Sequence, residues 1–443
     1  MTQSRGVHKY LHSYAEPEAA QIPAGSSGHR AGLVVPAYAE SLALLDGFRD
    51  AARGAEGRIV LVLVVNSPRG ASSEQRAASL ALLESLRKRA VSPCAPLFWQ
   101  QEPEFSLLVV DRASPGRELD DKVAVGHARK IGADIVLALW AAGALELPFV
   151  FSSDADVTLP SDYFERAATL VDAPAALLFP FRHVDVDSGD GRVHEATELY
   201  ELSLRYHVLG LDAARSPYAY HSVGSCLAAH VEHYAAVRGF PKRAAGEDFY
   251  LLDKLGKVGQ VRRLGGAPLA IASRRSLRVP FGTGPRVERL LQDPSMLVES
   301  PLAYQSLGLL LAALDAFARE RQPRVFDGVF ASLDAPVAQV AEQALVRCGL
   351  RAAAQSALEQ VGSGNLRRRL HTWFDALRSL QFLHALSERA LPKLPCLEAV
   401  TLAPFCTSPK GASLGAALSR AIELEAALPD VLGPAAWTEP RAL

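Results

Sequence analysis

Between residues 32 and 255 unbroken apolar runs alternate with polar segments of helical period, a pattern that predicts the strands and helices of an α/β fold. Gly32-Leu33-Val34-Val35 reads as a strand stopped by Pro36, with helical spacing through Leu42, Leu45 and Phe48 behind it. The run 58–66 is β-branched at nearly every second position and reads as a strand buried on both faces. A third strand, 106–111, is reached through a helical segment over 73–89, and a helix over 122–144 returns the chain to Phe149-Val150-Phe151. Two more strands are expected over 175–181 and 221–229, with a polar hairpin over 184–193 and an amphipathic helix over 195–211 between them. Past residue 300 the β-branched runs vanish and helical periods dominate. Leu366, Leu370, Trp373, Leu377, Leu380 and His384 predict one face of a single long helix, and Asp334 before Ala335-Pro336 predicts an N-cap. The expected organisation is a flexible N-terminal arm over 1–30, an α/β domain over 31–290 and an all-helical domain over 291–443.

Composition narrows the class. A chain of 443 residues, 49% hydrophobic and 21% charged, has enough apolar surface for two or three domains with a large core. Forty-seven Lys and Arg against 48 Asp and Glu leave a net charge of −1, so no global field favours nucleic acid. Cys94, Cys226, Cys348, Cys396 and Cys406 form no Cys-x-x-Cys pair and no zinc spacing, which leads us to expect reduced thiols and a cytoplasmic protein. Residues 1–30 lack the apolar centre of a secretory leader. The longest apolar stretches, 135–151 and 302–318, are interrupted by Glu146 and Pro148 and by Gln305 and Asp315, so no transmembrane segment is expected. No glycine-rich phosphate loop follows any predicted strand, which argues against a dinucleotide enzyme or a P-loop NTPase.

The candidate chemistry gathers at strand ends. If the sheet is parallel, Tyr38 and Glu40, Asn66 and Ser67, and Asp111 and Arg112 share one rim, where open α/β sheets bind their ligands. The strand at 149–152 runs into Ser153-Asp154-Ala155-Asp156, two carboxylates on one tight turn. Such a pair suits Mg²⁺ or Mn²⁺, which take carboxylate oxygens and share their other positions with phosphate and water. By itself it also suits a surface loop with an N-cap near Tyr163. Glu247-Asp248 opens a helix, an end that favours negative charge whether or not it has a catalytic role. Gly224 sits in a predicted strand where backbone could approach a ligand closely. His230-Val231-Glu232-His233 has a spacing that metals use but no third ligand, and is read as a partly exposed helix. The basic segment 274–284 reads either as a loop closing on a diphosphate or as a solvated connection.

Taken together, Pro36-Ala-Tyr-Ala-Glu40, Gly126-His-Ala-Arg129-Lys-Ile-Gly132, Asp154-Ala-Asp156 and Glu247-Asp248 make residues 31–290 resemble a family 2 glycosyltransferase of the GT-A fold. The resemblance implies a mixed sheet flanked by helices and a nucleotide-diphospho-sugar donor lined by Pro36, Tyr38, Glu40, Asn66, Arg129, Asp154 and Gly224. It implies Mn²⁺ or Mg²⁺ on Asp156, with Asp154 as ribose or metal partner, and Glu247-Asp248 as the acidic pair whose second member is the base. The chain departs from the family's usual pattern at Asn66, where an acid is common, at Lys130, where Asn is common, and in having no histidine between His233 and His371 to complete a metal site. The expected reaction is transfer to an acceptor hydroxyl of a saccharide, lipid or small molecule, with inversion, and the C-terminal helices are left for acceptor contacts or homo-oligomer assembly. A sugar-phosphate nucleotidyltransferase and a catalytically silent nucleotide-sugar-binding module are the competing readings.

Overall fold

A computed structural model describes residues 5–23, 28–90, 95–185, 191–273, 283–360, 365–407, 409 and 411–436. The chain divides into two units, Met1–Val186 with Ser222–Gly282, and Asp187–His221 with Thr283–Leu443. The segment 187–221, expected inside the α/β domain, thus belongs to the second unit.

In the first unit, α1 (Arg5–Ser13) precedes β1 (Gly32–Ala37), and α2 (Arg49–Gly54) leads to β2 (Ile59–Asn66). Then come α3 (Ser73–Arg87), β3 (Leu97–Gln101), β4 (Phe105–Arg112), α4 (Ala124–Ala141) and β5 (Phe149–Ser152). Beyond β5 lie β6 (Val157–Thr158), α5 (Glu165–Ala168), β7 (Ala176–Leu178) and β8 (Phe181–Asp185). After α6 (Gly191–Ala213), which belongs to the other unit, the chain returns through β9 (Leu227–His230), α7 (Val231–Ala236), α8 (Glu247–Val258), β10 (Val261–Arg263) and β11 (Leu269–Ser273). Within this unit the strands of the main sheet run β10-β7-β9-β5-β1-β2-β4-β3.

β1 pairs in parallel with β2 and β5, and β2 with β4, so Ala37, Asn66, Arg112 and Ser152 end at one edge. β9 runs antiparallel between β5 and β7 with Leu227 opposite Ser152, which brings the segment before Leu227 to that same edge. Every residue from Ile59 to Val65 is fully buried, as the β-branched run requires of a strand covered on both faces. The expected mixed sheet flanked by helices is present. A smaller sheet, β6-β11-β8, stands beside the turn that follows β5. The helix over 73–89 is α3, opened by a capping box between Ser72 and Gln75. β3, antiparallel to β4, was not anticipated: its five residues lie among prolines and a glutamine pair that mask its alternation.

The flexible arm expected over 1–30 is instead folded throughout residues 5–23. Val7 and Tyr10, one helical turn apart on α1, are buried, and Tyr10 Oη donates to Asp134 Oδ1 at 2.6 Å. Asp134 also accepts from Tyr234 Oη at 2.9 Å, Lys130 Nζ at 2.8 Å and the Glu16 amide at 2.8 Å. Glu16 in turn pairs with His127 at 2.9 Å and Lys242 at 2.7 Å. Two apolar anchors in a polar segment were too few to register as a periodic pattern, yet they suffice to seat it on α4 and α7.

The second unit contains α6, α9 (Thr283–Gln292), α10 (Pro301–Glu320), α11 (Ala335–Cys348), α12 (Leu350–Gln360), α13 (Leu366–Trp373), α14 (Ala376–Arg389), α15 (Cys396–Leu402) and α16 (Leu414–Ala426). It is not purely helical, since β12 (Leu297–Val298) pairs antiparallel with β13 (Leu394–Pro395). α10 is long and apolar enough to pass as a membrane span by length and composition, but Leu307, Leu310 and Leu314 are buried in this unit's core beside Tyr206, Leu366 and Leu383. The long helix predicted over 366–384 is broken into α13 and α14. Phe374 leaves helical geometry and the Asp375 side chain accepts from the Arg378 amide at 3.0 Å, a new N-cap inside an uninterrupted apolar stripe. At Asp334 the reverse holds: the residue occupies the N-cap position without a capping hydrogen bond from its side chain. Of the hairpin expected over 184–193, residues 186–190 lie outside the described residues, while 184–185 end β8 and 191–193 open α6 instead of forming a second arm; residues 274–282 of the basic segment and Cys94 also lie outside the described residues.

Candidate active site

The acidic turn is held at the sheet edge by backbone on both sides. The Ser153 amide donates to Val34 O at 3.0 Å, and Ala272 of β11 donates to Asp156 O at 2.8 Å. The turn itself closes through Val157 N–H to Asp154 O at 3.3 Å. Asp154, Ala155 and Asp156 are all half-buried, so both carboxylates remain at the rim.

Arg129, on α4, organises what surrounds this turn. The residue is 3% exposed, and its guanidinium donates from Nη2 to Asp154 Oδ1 at 2.8 Å and from Nε to Glu247 Oε1 at 3.0 Å. Nη1 donates to Ser152 Oγ at 2.8 Å, to Gly224 O at 3.2 Å and to Ser153 O at 3.3 Å. Phe240 covers the guanidinium, with its ring centre 5.9 Å from Cζ. Burial works against the charged form, yet Asp154 and Glu247 outweigh it and hold Arg129 protonated above its ordinary range.

Two glycines make this possible. A Cβ on Gly224 would stand 2.9 Å from Arg129 Nη2, and a Cβ on Gly126 would stand 2.6 Å from Arg243 O and 2.7 Å from Pro241 O. The first leaves room for the fork; the second lets α4 lie against the backbone that leads into α8, where the Gly126 amide donates to Arg243 O at 3.0 Å.

Glu247 and Asp248 open α8, as the sequence indicated, but they differ in environment. Glu247 is buried and bound to Arg129. Asp248 is half-buried, and its Oδ1 accepts from the Phe249 amide at 2.7 Å. Desolvation, followed by the neighbouring charge of Glu247, pushes the Asp248 carboxyl up to about 7, against the pull of Arg129. A carboxyl that titrates near neutrality at a sheet's ligand edge has the properties of a general acid or base.

At the first strand end, Pro36, Tyr38 and Glu40 are half-buried. Tyr38 Oη donates to Gln75 Oε1 at 2.7 Å, and Ala39, at φ 53°, donates its amide to Ser79 Oγ at 3.0 Å, so the turn is tied down to α3. Asn66 behaves differently from the expectation that it lines the ligand. It is 3% exposed, and its side-chain amide, oriented by the acceptors around it, has its nitrogen 3.3 Å from Ala37 O and 3.2 Å from Val64 O, filling the gap between the ends of β1 and β2. Arg129, likewise expected to face the nucleotide, is committed to protein acceptors. Asp111 is also structural, its carboxylate accepting from the amides of Ala113 and Ser114 and from Arg87 and Arg117.

The structure thus brings together Asp154, Asp156, Arg129, Gly224, Glu247 and Asp248, from four separated stretches of sequence. Ser152, the last residue of β5, and Phe240, just ahead of α8, complete the group. His230 and His233 take no part: their rings pack 5.3 Å apart at the other end of β9, and burial pushes His230 down to about 4. Among the described residues no group of three or more His, Cys, Asp or Glu side chains gathers as a ready-made metal cage.

No protein-family model matches the sequence, and no curated protein does so either. Among solved structures, S. aureus TarS 1-349 in complex with UDP-GlcNAc is similar over 81% of this chain and 90% of that chain, at 13% identity and a TM-score of 0.37. At that score the two chains superpose loosely, and the weight of any functional reading falls on this site's own residues.

Proposed function

We propose that the first unit is a glycosyltransferase of the GT-A type, moving a sugar from a nucleotide-diphospho-sugar to an acceptor hydroxyl with inversion. One observation carries the reading: two acidic segments far apart in sequence meet across Arg129 at the carboxyl edge of the sheet, one presenting a carboxylate pair on a tight turn and the other a half-buried carboxyl that desolvation and its neighbour Glu247 push up to about 7.

On this reading Asp248 takes the acceptor's hydroxyl proton as the acceptor oxygen forms its bond to the sugar's anomeric carbon. The bond from that carbon to the diphosphate breaks with its electron pair, so the nucleoside diphosphate leaves as an anion. Glu247 stays with Arg129 and shapes the acceptor side. The half-buried turn at Pro36, Tyr38 and Glu40 forms one wall of the donor site. Asp156, with Asp154 as a second oxygen donor, would hold Mn²⁺ or Mg²⁺, which supplies charge neutralisation to the departing diphosphate. The donor set fits such a cation: one or two carboxylate oxygens from a tight turn leave most of the coordination shell to phosphate and water, whereas a structural zinc site would demand a closed cage.

The test is a thermal-shift panel of UDP-, GDP- and dTDP-sugars with and without Mn²⁺ on the full chain. The reading expects stabilisation by one nucleotide class, lost in Asp156→Ala while that variant's own melting stays close to wild type. A panel in which no nucleotide-sugar moves the melting point would contradict it.

A further inference from the structure

We propose that Arg129 is a positioning residue: its buried guanidinium fork cross-links the Asp154 turn to the head of α8 through Glu247, and Gly224 lacks a side chain because that fork occupies the space. The inference deepens the reading above and takes its catalytic consequence from it, but the cross-link stands on geometry alone.

The fork reaches five acceptors on three segments: Ser152 at the end of β5 with Ser153 and Asp154 just beyond it, Gly224 before β9 and Glu247 on α8. No sequence-local contact could join these elements, and a lysine, with one point of charge, could not span them. Two carboxylates share one buried cation, and the side-chain exposures of Arg129 (4%) and Glu247 (5%) leave that half of the pair nearly dry, whereas Asp154 keeps 38% exposed to the rim. Removing the cation would strand Glu247 as an uncompensated buried charge, the most costly way to break such a pair; neutralising both ends is far milder.

The arrangement also divides labour within the acidic pair. Glu247 is spent on Arg129, whereas Asp248 accepts from the Phe249 amide beside it. Arg129 therefore fixes which of two adjacent acids works on the acceptor, without touching the donor itself.

The experiment has an activity-free arm and a ligand arm. Melting temperatures of the full chain are compared for wild type, Arg129→Met, Glu247→Gln and the double variant. Arg129→Met should lose about 5–15 °C, and adding Glu247→Gln should recover at least half of that loss, since the stranded charge is gone. Losses that simply add would overturn the cross-link. If Arg129→Met does not accumulate folded, a folded double variant is the same rescue. Gly224→Ala should lower the melting temperature of wild type by at least twice as much as that of Arg129→Lys, where no fork is left to displace; equal losses would overturn Gly224's part.

In the ligand arm, Arg129→Lys is titrated with UDP, GDP and dTDP by calorimetry and assayed for donor turnover. A positioning role predicts nucleotide affinity within about threefold of wild type and kcat down at least about tenfold. Lost nucleotide affinity with an unchanged kcat would make Arg129 a donor ligand and overturn the positioning role. If wild type itself binds none of the three nucleotides, the proposed function falls while the melting cycle still decides the cross-link.

Discussion

In the proposed mechanism Asp248 is the general base and must be ionised, so donor turnover with acceptor should rise with pH and level off above about 7, the value to which burial and Glu247 push it. Asp248→Asn keeps shape but removes basicity, and turnover should fall by about 10²- to 10⁴-fold and lose that rise with pH. Steady-state pH profiles of the two proteins check both statements, and an unchanged profile in the variant would assign the proton to another group. The same shift has a stability signature. Because the folded-state carboxyl binds its proton more tightly than the unfolded one, stability is fully present below the ordinary carboxylate range and is lost as pH rises toward about 7. Asp248→Asn should therefore flatten the fall in melting temperature between about pH 4 and 7. A variant that kept the full wild-type slope in that window would deny the shift.

Elements position these residues, and two of them make sharp claims. The packing of α1 rests on Val7 and Tyr10, with Tyr10 also bonded into the Asp134 cluster. Tyr10→Ala removes a large buried ring and leaves Asp134 short of a donor, and should cost about 3–5 kcal/mol in urea unfolding, the range for buried aromatic truncation. A cost under about 1 kcal/mol would mean that the N-terminal segment is not part of the folded unit. On α4, Gly126→Ala would press a methyl against the 241–243 backbone just ahead of Glu247 and Asp248. A loss of about 1–3 kcal/mol is expected for such overpacking, with turnover falling more than stability alone explains because α8 is displaced. Legibility in the sequence obeys the same physics. β1, β2, β4, β5 and α8 were legible because burial on two faces or a helical period repeats over many residues. α1 was not, since two anchors make no period, and the break at Phe374 was not, since an apolar stripe continues straight across it. The acidic segments were legible as motifs, but their mutual contact through Arg129 was not: it depends on register, on β9 running antiparallel beside β5, and on the missing side chain at Gly224.

At the scale of the molecule, the first unit carries every residue named in the candidate site, and the second carries a helical core with its own tyrosines and leucines. That partition puts the proposed chemistry in the sheet unit. The most direct measurement of the central claim is release of nucleoside diphosphate from a panel of UDP-, GDP- and dTDP-sugars by the full chain with Mn²⁺, in wild type, Asp156→Ala and Asp248→Asn. The account predicts that one nucleotide class is consumed by wild type, with release abolished by Asp156→Ala and reduced at least about 10²-fold by Asp248→Asn. Release from no donor, or release that both variants sustain at the wild-type rate, would contradict it.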